Sequence, residues 1–190
     1  MTTTSIIVEL LIIGFFTLVW LFLFCIRVSI VDVQTLEKIL LFLQSTAGFL
    51  IVSGLSYHLG LVMNSISHQI TKRFSQTKFR DEIAPGKNYE VIKTKVRQEA
   101  SDEMNRTLTM HLSFVRLTRA GIINFGLITI ILFTFPWRIA VMGLISLFIC
   151  ILSFLGWRKA YRGYYKRIAY AYHVISGEPI NESLFEKAVD

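Results

Sequence analysis

The sequence predicts an all-α fold: a four-helix transmembrane bundle with a helical cytoplasmic loop and a C-terminal helical extension, forming one membrane domain over residues 1–190. Three observations carry that prediction. Of the 190 residues, 53% are hydrophobic and only 17% charged, which is too apolar for an ordinary soluble domain. Four apolar runs, at residues 6–26, 39–66, 117–135 and 139–157, are each long enough to cross a hydrocarbon layer. Finally, 17 of the 20 Lys and Arg lie in two segments, 67–119 and 158–190, leaving Arg27, Lys38 and Arg138 elsewhere. A separate soluble catalytic domain has no room in such a chain.

The first run is interrupted only by Glu9, Gly14 and Thr17. It begins Met-Thr-Thr-Thr-Ser and ends Cys-Ile-Arg, without the basic start and small-residue cleavage site of a secretory signal, so an uncleaved, mostly lipid-facing anchor is expected. Glu9 lies near the start of its helix, where a carboxylate is favoured by the helix dipole and can reach the interface. A functional role is the alternative, because ionisable residues within spans mark functional sites by default.

The second run carries many polar residues for a span. At about 100° per residue, Ser45, Gly48, Ser53, Ser56, Gly60 and Asn64 fall on one face. Small and polar residues on one stripe let helices approach closely in lipid, and the same stripe could line a pore made by several copies. This helix is the expected centre of the bundle. His58 lies nearly opposite the stripe, where an imidazole either packs with a hydrogen bond or acts as a proton relay or sensor.

Only Pro136, Trp137 and Arg138 separate the third and fourth runs, which predicts a tight helical hairpin. Trp137 and Trp157 are spaced to mark the two interfaces as an aromatic belt. Gly143, Ser146, Cys150 and Ser153 supply a close-packing face on the fourth helix. Cys25 and Cys150 belong to different runs and read as free thiols packing as small hydrophobes.

Within the loop at 67–116, a turn is expected at Pro85-Gly86 and a helix from Asn88 as N-cap. Ile92, Val96, Ala100, Met104 and Leu108 repeat every four positions, giving a narrow apolar stripe. With no Gly or Pro before Gly121, this helix can run on into the third span. The tail at 158–190 opens with Arg158, Lys159, Arg162, Lys166 and Arg167 and holds five of the seven tyrosines between Tyr161 and Tyr172. With Lys72 and Arg73 these cations form the predicted basic cytoplasmic surface. Three uses fit it: snorkelling toward anionic lipid, a protein contact, or nucleic-acid contact, the last without a recognised motif and so not expected to be direct. Beyond Gly177 the chain turns acidic, and Asn181 could cap a short helix carrying Leu184, Phe185 and Val189.

The charge split orients the chain. By the positive-inside rule the loop at 67–116, the N-terminus and the C-terminus are cytoplasmic, so the sequons at Asn105 and Asn181 stay unglycosylated. No paired carboxylates, nucleophile and base set, phosphate loop or metal-ligand spacing appears, and His68, His111 and His173 share no ligand pattern. The expectation is a non-enzyme without cofactor or metal. Secondary transport is not expected either, since neither repeats nor helices broken near the midplane appear.

Four spans starting near Ile6, Ile39, Leu117 and Ile139, with a basic loop between the second and third, resemble small bacterial inner-membrane proteins. Among these are the membrane subunit of Kiwa-type anti-phage systems, pore-colicin immunity proteins and lambda-type exclusion proteins. The Kiwa-type resemblance implies a homo-oligomeric membrane scaffold and sensor that recruits a soluble, nucleic-acid-binding effector to its loop and tail in antiviral defence. The alternative is an oligomeric ion channel or membrane-permeabilising effector.

Overall fold

The computed structural model describes residues 3–30, 33–75 and 89–177. Six helices follow in order: α1 (Thr3–Arg27), α2 (Val33–Leu43), α3 (Thr46–Ser75), α4 (Tyr89–Glu99), α5 (Asp102–Phe133) and α6 (Trp137–Ser176). The described residues contain no strand. Four helices are long and apolar enough to cross a membrane, over Thr4–Arg27, Thr46–Lys72, Asp102–Phe133 and Ile139–Ser176. That is the layout of a multi-pass membrane protein. The expected turn at Pro85-Gly86, the Asn88 cap and the terminal helix from Asn181 lie outside the described residues.

The second apolar run is not one helix. It breaks at Gln44 and Ser45, and only Thr46 onward spans. Ser45 Oγ accepts from the Gly48 amide at 3.0 Å, capping α3, while Gly48 sits against the Phe42 carbonyl, an approach that a Cβ would block. Ser45 and Gly48 therefore build a corner rather than a packing stripe. The loop helix is likewise two helices. Ser101 turns the chain with an extended ψ of 156° and caps α5 through the Met104 amide, with Asp102 and Glu103 in the first turn. Beyond that corner α5 does run without interruption from the loop into the apolar layer.

The centre of the bundle is α5, not the second run. In the apolar windows 44% of residues are buried on α5 against 22% on α3, because α5 packs on α6, α1 and α3. The apolar window of α1 is 28% buried, so most of it faces outward as expected, apart from one stripe. Glu9, Leu10, Ile13, Gly14 and Thr17 repeat at helical spacing and are all buried. Gly14 and Gly60 let α1 and α3 touch, since a Cβ on Gly14 would overlap the Ser56 carbonyl and one on Gly60 the Leu10 carbonyl. The α5–α6 hairpin closes through the face expected on the fourth helix. Ser146 Oγ donates to the Phe125 carbonyl at 2.9 Å, Cys150 Sγ to the Ile122 carbonyl at 3.3 Å, and Gly121 faces Ser153.

At the basic end, α4, the start of α5 and the extension of α6 pack around a second core. Ile92, Val96, Leu108, Val115, Trp157, Tyr164, Tyr165, Ile168 and Ala171 fill it, with Ala100 and Met104 alongside. All five residues of the loop stripe thus point into this head. Trp157 is one of its core residues, whereas Trp137 is exposed.

Two consequences are measurable by thermal unfolding in detergent. Gly60→Ala should lower stability by about 1–3 kcal/mol or more, because backbone cannot yield as a side chain can. Ile168→Ala should cost about 2–5 kcal/mol in the head, seen as faster proteolysis of α4 while the spans stay resistant.

Candidate functional site

A polar column runs through the interface of α1, α3 and α5, and α5 supplies its spine. At the basic end the Arg116 guanidinium meets the Glu9 carboxylate at 3.6 Å. Glu9 is only 3% exposed, and neither of its oxygens has a hydrogen-bond partner among the described residues. It lies beyond the first turn of α1 and faces the bundle, so the dipole explanation for this residue is replaced by an ion pair.

One turn along α5, Arg119 binds α3 with three of its nitrogens. Nε donates to Ser67 Oγ at 3.2 Å, Nη1 to His68 Nδ1 at 3.0 Å and Nη2 to Asn64 Oδ1 at 2.8 Å. An arginine can only donate, so the His68 ring proton is on Nε2. Deeper again, Asn124 is 0% exposed and binds α1: its Nδ2 donates to the Ile13 carbonyl at 3.0 Å, and its Oδ1 accepts from Thr17 Oγ1 and Trp20 Nε1, both at 3.2 Å. At the other end of α1, Arg27 Nε donates to the Thr134 hydroxyl and carbonyl at 3.0 and 3.2 Å. Interhelical hydrogen bonds in a bilayer average only about 0.6 kcal/mol each, so convergence of several on Arg119 and Asn124 is what makes the column strong.

The residues singled out in the sequence divide accordingly. Ser56 and Gly60 are buried against α1, Asn64 accepts from Arg119, and Ser53 is half-buried. These positions are helix contacts within one chain. His58 is exposed on the outer face of α3, edge-on to Tyr57 and without a hydrogen bond to the described residues. It stands apart from the polar column and is not the hydrogen-bonded packing histidine expected. On the head, Lys72, Arg158, Lys159, Arg162 and Arg167 are exposed and Lys166 is half-buried. The side chain of Arg73 lies outside those described. Of the five tail tyrosines, Tyr164 and Tyr165 are in the head core, Tyr161 and Tyr172 pack beside it, and Tyr170 alone is exposed. Tyr161, Tyr164, Tyr165 and Tyr172 thus serve packing, with the Tyr161 and Tyr165 hydroxyls 2.8 Å apart.

Comparison with known proteins gives no match. No family model, curated protein or solved structure resembles the chain closely enough to align. What the arrangement can do must come from its chemistry.

Among the described residues no three His, Cys, Asp or Glu side chains gather as metal ligands would. A pocket between α4, α5 and α6, lined by Lys93, Arg97, Asn105 and Tyr164 among others, has a volume of about 30 Å³. That is room for one or two waters. The geometry is mechanical: α5 carries the head core at Leu108 and Val115, the column at Arg116, Arg119 and Asn124, and the hairpin contact at Phe125 on one uninterrupted helix.

Arg116, Arg119, Asn124 and His68 were not recognised as site residues from the sequence. The available signal was Arg119 and Asn124 falling in or beside an apolar run, which lipid does not tolerate without a partner. Arg116→Met should destabilise by about 3 kcal/mol by leaving Glu9 unpaired, and Glu9→Gln combined with Arg116→Met should recover most of it. A double-mutant cycle of unfolding in detergent measures this coupling.

Proposed function

We propose that this chain is a membrane-anchored scaffold and sensor that presents a basic helical head to a soluble partner. The observation that carries the reading is the head itself: α4 with the extensions of α5 and α6 encloses its own apolar core beyond the spans, with exposed Lys72, Arg158, Lys159, Arg162 and Arg167 outside it. A folded, charged module on stiff stalks suits recognition better than catalysis. Because α5 and α6 pass unbroken from the spans into the head, a displacement in the bilayer reaches the docking surface directly.

In this reading the head faces the cytoplasm of a bacterial cell and the bundle sits in the inner membrane, which is what the concentration of Lys and Arg at one end supports. The partner is a soluble protein with an acidic surface. The anchor acts as a homo-oligomer, and the layout shared with the Kiwa-type membrane subunits makes antiviral defence the proposed setting. An oligomeric channel is the competing function; it is the weaker reading because Ser56, Gly60 and Asn64, its candidate lining, are engaged with α1 and α5.

The test is purification in mild detergent from the native cell. A soluble partner encoded by a neighbouring gene should co-purify, and Arg158→Glu with Arg162→Glu and Arg167→Glu should abolish the association without changing the melting temperature of the spans. Recovery of the lone chain with full activity would overturn the proposal. Ion flux through liposomes holding the purified chain would favour the channel.

A further inference from the structure

The helix α2 has no part in the column or the head, and the fold scarcely holds it. None of its described side chains is buried: Leu41 is 67% exposed, Phe42 45% and Leu43 39%, and Ile39 alone is half-buried. Eleven residues do not sustain a helix in water without packing. Something other than the described residues must cover it.

Its sequence, Val-Gln-Thr-Leu-Glu-Lys-Ile-Leu-Leu-Phe-Leu, spaces most apolar residues toward one side and Gln34, Glu37 and Lys38 toward the other. The neighbouring contacts set its depth. The crossing of Gly14 with Ser56 and Gly60 makes α1 and α3 antiparallel, and equal counts of residues from that crossing bring Arg27 level with Ser45. Arg27 is in turn bonded to Thr134 at the end of α5. Both ends of α2 are therefore tied to the plane where the spans leave the apolar layer, at the end of the bundle opposite the head.

We infer that α2 lies flat in the bilayer surface at that end, its apolar side in the acyl-chain boundary and Gln34, Glu37 and Lys38 among the headgroups. The partner is the lipid surface itself. Continuity decides this occupant over a second copy of the chain. Phe24 at the end of α1 and Phe49 and Leu50 at the start of α3 are 47%, 67% and 63% exposed, so the lipid that covers them extends without a gap over Leu43 on the apolar side of α2 and Phe42 at its edge. With one acid and one base, Glu37 and Lys38, the helix needs no particular headgroup charge, and burial of apolar area is what holds it.

Spin labels test the placement in the full chain carrying Cys25→Ser and Cys150→Ser, reconstituted in phosphatidylcholine vesicles. A label at Leu43→Cys, on the apolar side, should collide more with oxygen, which concentrates in lipid, and one at Lys38→Cys more with a water-soluble nickel chelate, so the ratio of the two inverts between positions. Chelate collisions dominating at both positions would overturn the inference by placing α2 in water. Dipolar broadening between Leu43→Cys labels of different chains would overturn it in favour of a second copy. As a variant free of added label, Phe42→Trp should add fluorescence quenched by brominated lipid; quenching of the added signal by iodide alone would again overturn it. Neither measurement depends on whether the head has a partner.

Discussion

Lipid offers helices no hydrophobic reason to associate, so what holds a bundle together is close packing and the requirement that every polar group find a partner. Arg119 and Asn124 impose that requirement here. Each sits on α5 and each reaches a different neighbour, Arg119 to Asn64, Ser67 and His68 on α3 and Asn124 to Ile13, Thr17 and Trp20 on α1. Any rotation or sliding of α5 strands both side chains in an apolar surrounding. The glycine crossing of α1 on α3 then follows, because two helices clasped to a common third must themselves approach, and Gly14 and Gly60 leave the space for it.

The same spine joins the two parts of the molecule. Val115, in the head core, is adjacent to Arg116, in the column, so the apolar module and the buried ion pair share a turn of helix. A side chain can reorganise the head without disturbing the spans only if α5 kinks between Val115 and Arg119, and no Gly or Pro lies there to allow it. The stiffness of that turn gives a sensor reading its physical content. The peripheral position of α6 in the apolar layer fits this division: it contributes the hairpin contacts and exposes most of its surface outward.

Much of this was legible in the sequence. Apolar runs of span length located α1, α5 and α6, Pro136 ended the hairpin, and the four-residue repeat from Ile92 to Leu108 predicted the face that fills the head. The corners were legible too, but were passed over: Ser45 and Ser101 are both cap residues, and Ser101 precedes Asp102 and Glu103, a helix start that needs no Gly or Pro. The stripe on the second run is small and polar from Ser53 to Asn64, yet Ser45 and Gly48, which fit its periodicity, belong to the turn.

Composition and periodicity determined by themselves that the chain has four long apolar helices, because the length of a span and the period of a helix are properties of local sequence. Which helix is central was decided only by the tertiary structure. Periodicity ranks faces within one helix but carries no information on which neighbour meets them, and the polar residues that settle it, Arg119 and Asn124, find their partners some fifty to more than a hundred residues away. The all-α bundle was therefore written into the sequence, and the column that organises it was not.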